Sequence, residues 1–206
     1  MEAGGDPNTH DTGRYKSTLL HLACRNEDLK MAALLLEKGA DVNGPDGNQG
    51  RPLFYAGMSG NAELARLLLD KGAYINTQDK FGNTALHLAA REGHGATCAW
   101  LIAHGADPNA RDFNRSTPLH WAGIKGHNGV ARILVEKGAD ISAKNNFGST
   151  ALHCAAEHGH LETAKTLVTL GGDINAKDAK DRTPLACAIG AKNDATATYL
   201  KSVEGK

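Results

Sequence analysis

Aliphatic residues along this chain come in pairs that return every 33 positions: Leu35-Leu36, Leu68-Leu69, Leu101-Ile102, Leu134-Val135 and Leu167-Val168. Ahead of each pair stands a second pattern of mixed polar and apolar positions. It reads Thr18-Leu-Leu-His21-Leu-Ala23, Arg51-Pro-Leu-Phe54-Tyr-Ala56, Thr84-Ala-Leu-His87-Leu-Ala89, Thr117-Pro-Leu-His120-Trp-Ala122, Thr150-Ala-Leu-His153-Cys-Ala155 and Thr183-Pro-Leu-Ala186-Cys-Ala188. A third motif keeps the same step: Gly39-Ala-Asp-Val-Asn43, Gly72-Ala-Tyr-Ile-Asn76, Gly105-Ala-Asp-Pro-Asn109, Gly138-Ala-Asp-Ile-Ser142 and Gly171-Gly-Asp-Ile-Asn175. Five returns of one period, without an insertion or deletion, mean that the chain is an internal repeat.

Each unit predicts a helix, a turn, a second helix and an extended loop. Thr18, Thr84, Thr117, Thr150 and Thr183 stand where an N-cap hydroxyl satisfies a free amide of the first helix. Pro52, Pro118 and Pro184 follow at the first helical position, where a missing N–H costs nothing. Gly60, Gly93, Gly126 and Gly159 end that helix, and Gly39, Gly72, Gly105, Gly138 and Gly171 end the second. Leu119, Ala122, Gly123 and Gly126 form a stripe of small residues at helical spacing, which must face the core. One unit cannot bury its apolar side alone, so neighbours stack into a continuous core. With helices about 10 Å apart, six units make a slab about 50 to 60 Å long.

The Thr-Pro-Leu-His-x-Ala box at this spacing resembles the ankyrin repeat. The resemblance covers residues 13–206, as repeats 13–45, 46–78, 79–111, 112–144, 145–177 and 178–206. It implies an all-α repeat solenoid, a stack of helix-turn-helix units with β-hairpin-like loops. It also implies structural roles for Thr84 with His87, Thr117 with His120 and Thr150 with His153, the imidazole bonding the Thr hydroxyl and a neighbouring loop. The column of His94, His127 and His160 is expected to shape the turn between the helices. Residues 1–12 carry no apolar pattern and are expected to be a disordered tail. Lys201, Asp194, Thr196 and Thr198 make the last helix polar, as a terminal unit with water on one side requires. Repeat 2 departs most from the pattern: Arg51, Phe54 and Gly57 replace Thr, His and Ala, and are expected to weaken it.

Lys and Arg balance Asp and Glu at 23 each, which argues against a nucleic-acid or anionic-membrane binder. No aliphatic run approaches the roughly 20 residues a membrane span needs, and the first twenty residues have no secretory pattern. Cys24, Cys98, Cys154 and Cys187 form no CxxC pair and read as buried thiols of a cytoplasmic or nuclear protein. The stretch His153-Cys-Ala-Ala-Glu157-His158-Gly-His160 raises the alternative of a metal- or thiol-dependent enzyme, since His153 and Glu157 share a helix face. Against it, most of these histidines belong to the repeating columns, and no nucleophile-elbow, phosphate-loop or HExxH motif occurs. The expectation is therefore no enzyme, no cofactor and no bound metal.

Positions just after the box histidine, and three and four residues beyond, change type from repeat to repeat. Such variation within one chain marks them as free of the stacking requirement. The resemblance places this side of the first helices, with the loop tips, along a concave groove that binds another protein, as an adaptor, inhibitor or assembly chaperone. The candidate contacts are Tyr15, Arg25, Tyr55, Met58, Phe81, Arg91, Phe113, Trp121, Ile124, Lys125, Phe147 and His158, with Arg14 beside them. The aromatic and aliphatic members concentrate in repeats 2 to 4, the composition of a binding hot spot. No nucleic acid or membrane partner is expected, and the chain is expected to be monomeric. Asn43, Asn76, Asn109 and Asn175 also match the loop asparagine that hydroxylases modify in some ankyrin proteins.

Overall fold

A computed structural model describes residues 6–13 and 15–204; Arg14 and residues 1–5 lie outside the described part. Among the described residues twelve helices follow one another in six pairs. These are α1 (Leu19–Arg25) and α2 (Leu29–Glu37), α3 (Pro52–Ser59) and α4 (Ala62–Asp70), α5 (Ala85–Glu92) and α6 (Gly95–Ala103), α7 (Pro118–Lys125) and α8 (Asn128–Glu136), α9 (Ala151–Glu157) and α10 (Leu161–Thr169), and α11 (Pro184–Gly190) and α12 (Asp194–Val203). Odd-numbered helices pack on one another in sequence, even-numbered ones do the same, and each pair packs internally. The result is a two-row helical stack with no named strand among the described residues, where only an isolated bridge links His10 and Thr18. No described helix is long and apolar enough to cross a membrane.

The core lies between the two rows. Leu20, Leu53, Leu86, Leu119 and Leu152 enter it from the odd helices, and Leu64, Leu68, Leu101, Leu134 and Leu167 from the even ones. Burying each such side chain contributes roughly 1.5–3 kcal/mol before the entropy of ordering the chain is charged against it.

The odd helices begin at the threonines the sequence points to. Thr18, Thr84, Thr117 and Thr150 each form a reciprocal capping box with the histidine three residues on, and Thr183 accepts from Ala186 N. The even helices begin differently. Asp28 and Asn61 cap their own helices through Met31 N and Leu64 N. His94, His127 and His160 occupy the same position without capping anything. Their Nε2 atoms reach the preceding unit, at Met58 O (3.1 Å), Arg91 O (3.0 Å) and Ile124 O (2.9 Å). This column therefore bonds unit to unit, its rings lying against the glycines that turn the chain between the helices of the preceding unit.

Two expectations change. Gly57 is a close contact and not a deficit, because a Cβ there would lie 2.4 Å from Ala85 O; at Gly123 it would lie 2.6 Å from Ala151 O. The segment from Asp6 to Asp11, expected to be disordered, is bonded to the first unit. Asn8 Nδ2 donates to Gly39 O (3.2 Å), Asn8 Oδ1 accepts from Asp41 N (2.6 Å), and Asp11 N donates to Ser17 O (2.8 Å). Asn43, Asn76 and Asn109 make the same paired bonds at the later junctions. The sequence signal was present in Gly4-Gly5-Asp6-Pro7-Asn8, a variant of the Gly-Ala-Asp-Pro-Asn motif.

Candidate functional site

The site grows from the loop tips. At Asp46, Asp79, Asp112, Asn145 and Asp178 one side-chain oxygen accepts the backbone N–H groups two and four residues ahead, at 2.7–3.1 Å. The residue's own N–H donates to the carbonyl four residues on, closing a tight hairpin-like turn. Consecutive tips are joined by single backbone bonds: Gly47 N to Tyr15 O, Lys80 N to Asn48 O, Phe113 N to Phe81 O, Asn146 N to Asn114 O and Ala179 N to Phe147 O. Side chains at the tips are thus carried on a hydrogen-bonded ladder. Phe81, Phe113 and Phe147 are 57%, 67% and 65% exposed there, and Lys80 Nζ lies 5.0 Å over the Phe81 ring.

The odd helices form the opposite wall. Four of them are fixed by buried imidazoles whose nitrogens are both occupied. In His21, His87, His120 and His153, Nδ1 accepts the Thr backbone N–H (3.1–3.2 Å) and lies 2.8–2.9 Å from the Thr hydroxyl. The acceptor role of Nδ1 assigns the proton to Nε2. Nε2 then donates to Gly50 O, Ser116 O, Ser149 O and Arg182 O in the next unit, at 2.9–3.1 Å. Burial lowers all four pKa values against the opposing pull of those carbonyls and the nearby tip carboxylates. Repeat 2 lacks this device: Phe54 is buried in the His position, and the Arg51 guanidinium donates to Asn43 O.

The position after each box histidine is less free than its variation suggests. Tyr55 donates to Asp46 Oδ2 (2.7 Å) and Trp121 Nε1 to Asp112 Oδ2 (3.2 Å), each nine residues back. Leu88, Cys154 and Cys187 at the same position are buried. The next positions behave differently. Met58, Arg91 and Ile124 have their carbonyls held by a histidine of the following unit, while their side chains face the groove.

Two clefts result, where the sequence suggested one central patch. The first, of about 360 Å³, gathers Tyr15, Arg25, Tyr55, Met58, Phe81 and Arg91. The second, of about 440 Å³, gathers Trp121, Ile124, Phe147 and His158. Phe113 and Lys125 are exposed and line neither. Lys180, at the loop tip where the sequence pattern runs, also walls the second cleft, together with Arg182, to which that pattern did not point. Arg182 joins Asp178 (2.8 Å) to Glu157 (3.9 Å). At Asp178, burial pushes the carboxyl up and the Arg182 and Lys180 hydrogen bonds outweigh it, so its pKa lies below the ordinary value.

Metal or thiol chemistry at His153, Cys154, Glu157 and His158 finds little support. His153 has no nitrogen left for a metal, and His158 Nδ1 is bonded to Cys154 O at 2.9 Å. Burial pushes the thiol of Cys154 up to about 12, as it does those of Cys24 and Cys98. Among the described residues no three His, Cys, Asp or Glu side chains stand close enough together to hold a metal ion.

A family model described as Ankyrin repeats (3 copies) matches this chain over residues 1–79, 73–145 and 140–205. Comparison with the curated proteins gives no match.

Proposed function

The chain belongs to the ankyrin-repeat family, and we propose that it works as a single-partner adaptor, inhibitor or assembly chaperone, binding through the face built by its loop tips and odd-numbered helices. Ankyrin repeats are in general protein-interaction modules. The observation that carries the finer reading is the set of exposed phenylalanines, Phe81, Phe113 and Phe147, on a bonded ladder above two clefts. A large apolar surface held in water without packing is costly unless something covers it. Aromatic anchors on a rigid frame bind with little loss of conformational entropy. The engaged imidazoles and high thiol pKa values support a role without catalysis. Four unpaired, buried thiols support a reducing compartment, the cytoplasm or nucleus.

The test is capture from native lysate by the wild-type chain and by a Phe81→Ser, Phe113→Ser, Phe147→Ser variant. The tips are chosen because Tyr55 and Trp121 also hold the frame, so their loss confounds folding with binding. Circular dichroism checks that the variant keeps its helices. A stoichiometric partner bound by wild type and lost by the variant supports the reading. Equal capture by both places binding on another face and ends it.

A further inference from the structure

The two clefts are one design built twice. Tyr55 and Trp121, Met58 and Ile124, Phe81 and Phe147, and Leu88 and Cys154 are corresponding pairs, and every pair is separated by two repeats. In each cleft the helix-borne ring is pinned to a tip aspartate, at Asp46 or Asp112. An aliphatic side chain follows one turn later, and an exposed phenylalanine stands on the tip of the next unit. The core carries the same two-repeat alternation. Gly57 and Gly123 let α3 approach α5, and α7 approach α9, so closely that a Cβ would meet backbone oxygen; α5 has Ala90 at that position. The alternation therefore reaches from core to groove, whereas stacking alone asks only for a one-repeat period.

Both copies carry charge on their rims. Arg91, paired with Glu92 at 2.8 Å, stands on the first cleft where Glu157 stands on the second; Arg25 on the first and Lys180 on the second make no ion pair among the described residues, and Arg182 on the second is paired with Asp178. Asp46 and Asp79 also line the first cleft, but their carboxylates are turned onto backbone N–H groups.

We propose that the groove takes an extended partner segment carrying two bulky apolar side chains about six residues apart, one for each cleft. The proposal rests on the protein-binding reading above. Two repeats at about 10 Å each separate the clefts by about 20 Å, which six residues of extended chain span at about 3.3 Å per residue. An even separation also sends both side chains to the same side of an extended strand. Joining two weak sites in this way multiplies affinity without any new contact.

The test uses fluorescein-labelled synthetic peptides in a Ser/Thr/Gln background. Two tryptophans stand three, six or nine positions apart, and a one-tryptophan peptide serves as control. Titrated with the full chain and read by fluorescence polarisation, the six-position peptide is expected to bind at least about tenfold tighter than the control. Met58→Asp and Ile124→Asp should each remove that advantage. The tip variants Phe81→Ser and Phe147→Ser, on exposed side chains, repeat the test without touching the helices. Equal affinity at all spacings, or an optimum that survives loss of one cleft, overturns the proposal. So does failure of every peptide to bind, while groove-dependent capture from lysate would still leave the general reading standing.

Discussion

Tyr55 donates its hydroxyl proton to Asp46 Oδ2 at 2.7 Å, nine residues back along the chain. The other oxygen of Asp46 already holds the N–H groups of Asn48 and Gly50, so one carboxylate shapes the loop tip and ties it to α3. Trp121 and Asp112 repeat the link two units later. Both walls of the groove are therefore fixed before any partner arrives, which reduces the ordering cost of binding.

Removing that link without removing the ring tests it. Tyr55→Phe should lower stability by about 1.5 kcal/mol, the lower end of the range for a hydrogen bond to a charged acceptor, since the site is half-buried. The urea midpoint should fall and the m value stay fixed. Amides of the Asp46–Gly50 turn should exchange faster, while those of the Asn145 turn keep their protection. An unchanged midpoint would mean that the turn stands without the phenol.

Acid should weaken the stack at four junctions together. The pKa values of His21, His87, His120 and His153 are lowered by burial, so below about pH 6.5 the unfolded chain binds protons that the folded chain refuses. Stability is full above that pH and falls as pH drops through it. Each imidazole costs up to about 1.4 kcal/mol per pH unit while only its unfolded form is protonated. Urea unfolding between pH 8 and pH 5.5 reads the effect, and His87→Phe, which copies the native Phe54 of repeat 2, should flatten the curve. A pH-independent midpoint across that range would sink the account.

The repeat, both helices of each unit and the Thr–His boxes were legible in the sequence because stacking imposes the same demand at every return of the period. The groove was legible only as a set of positions. Tyr55 and Trp121 varied between units and so looked free, yet each answers to a tip aspartate of its own repeat. Gly57 looked like a lost alanine because its reason, Ala85 O at 2.4 Å, lies in the neighbouring unit. Asn8 was hidden by a loop two residues longer than the period allows, which took its motif out of step with the others. A pattern search at one fixed spacing sees what every unit shares and misses what alternates or slips.

Of the three threonines at one repeat position, Thr97, Thr163 and Thr196, the first two should respond in opposite senses to the same substitution. Thr97 Oγ1 donates to Gly60 O at 2.7 Å, whereas Thr163 Oγ1 is buried without a partner. Leu64 and Val130 fill the position in other units. Thr163→Val should therefore stabilise by about 1 kcal/mol, by removing an unsatisfied hydroxyl, and Thr97→Val should destabilise by about as much. Thermal or urea midpoints that move the same way in both would contradict the assignment.

Glycine at the alternate core positions should tolerate nothing larger. Gly57→Ala and Gly123→Ala place a methyl against the backbone oxygens of Ala85 and Ala151, which cannot rotate aside, and should cost about 1–3 kcal/mol each. Gly190→Ala has open space around its Cβ and should be neutral or slightly stabilising as a helix former. Equal tolerance at all three sites would show that the close approach is not needed.

Asn8 and Asn43 make the same pair of bonds, yet their removal should differ in reach. Asn43 joins two helix pairs inside the stack, through Gly72 O at 2.9 Å and Tyr74 N at 2.8 Å. Its loss in Asn43→Ala should lower the midpoint of the whole cooperative transition, by about 1 kcal/mol. Asn8 fastens only the segment before the first helix, and a segment without a helix of its own opens locally at little cost. Asn8→Ala should speed exchange at the Gly39–Asn43 amides and leave the global midpoint within error. Hydrogen exchange read by mass spectrometry separates the two cases. A global loss from Asn8→Ala as large as that from Asn43→Ala would mean that the segment before α1 belongs to the cooperative unit.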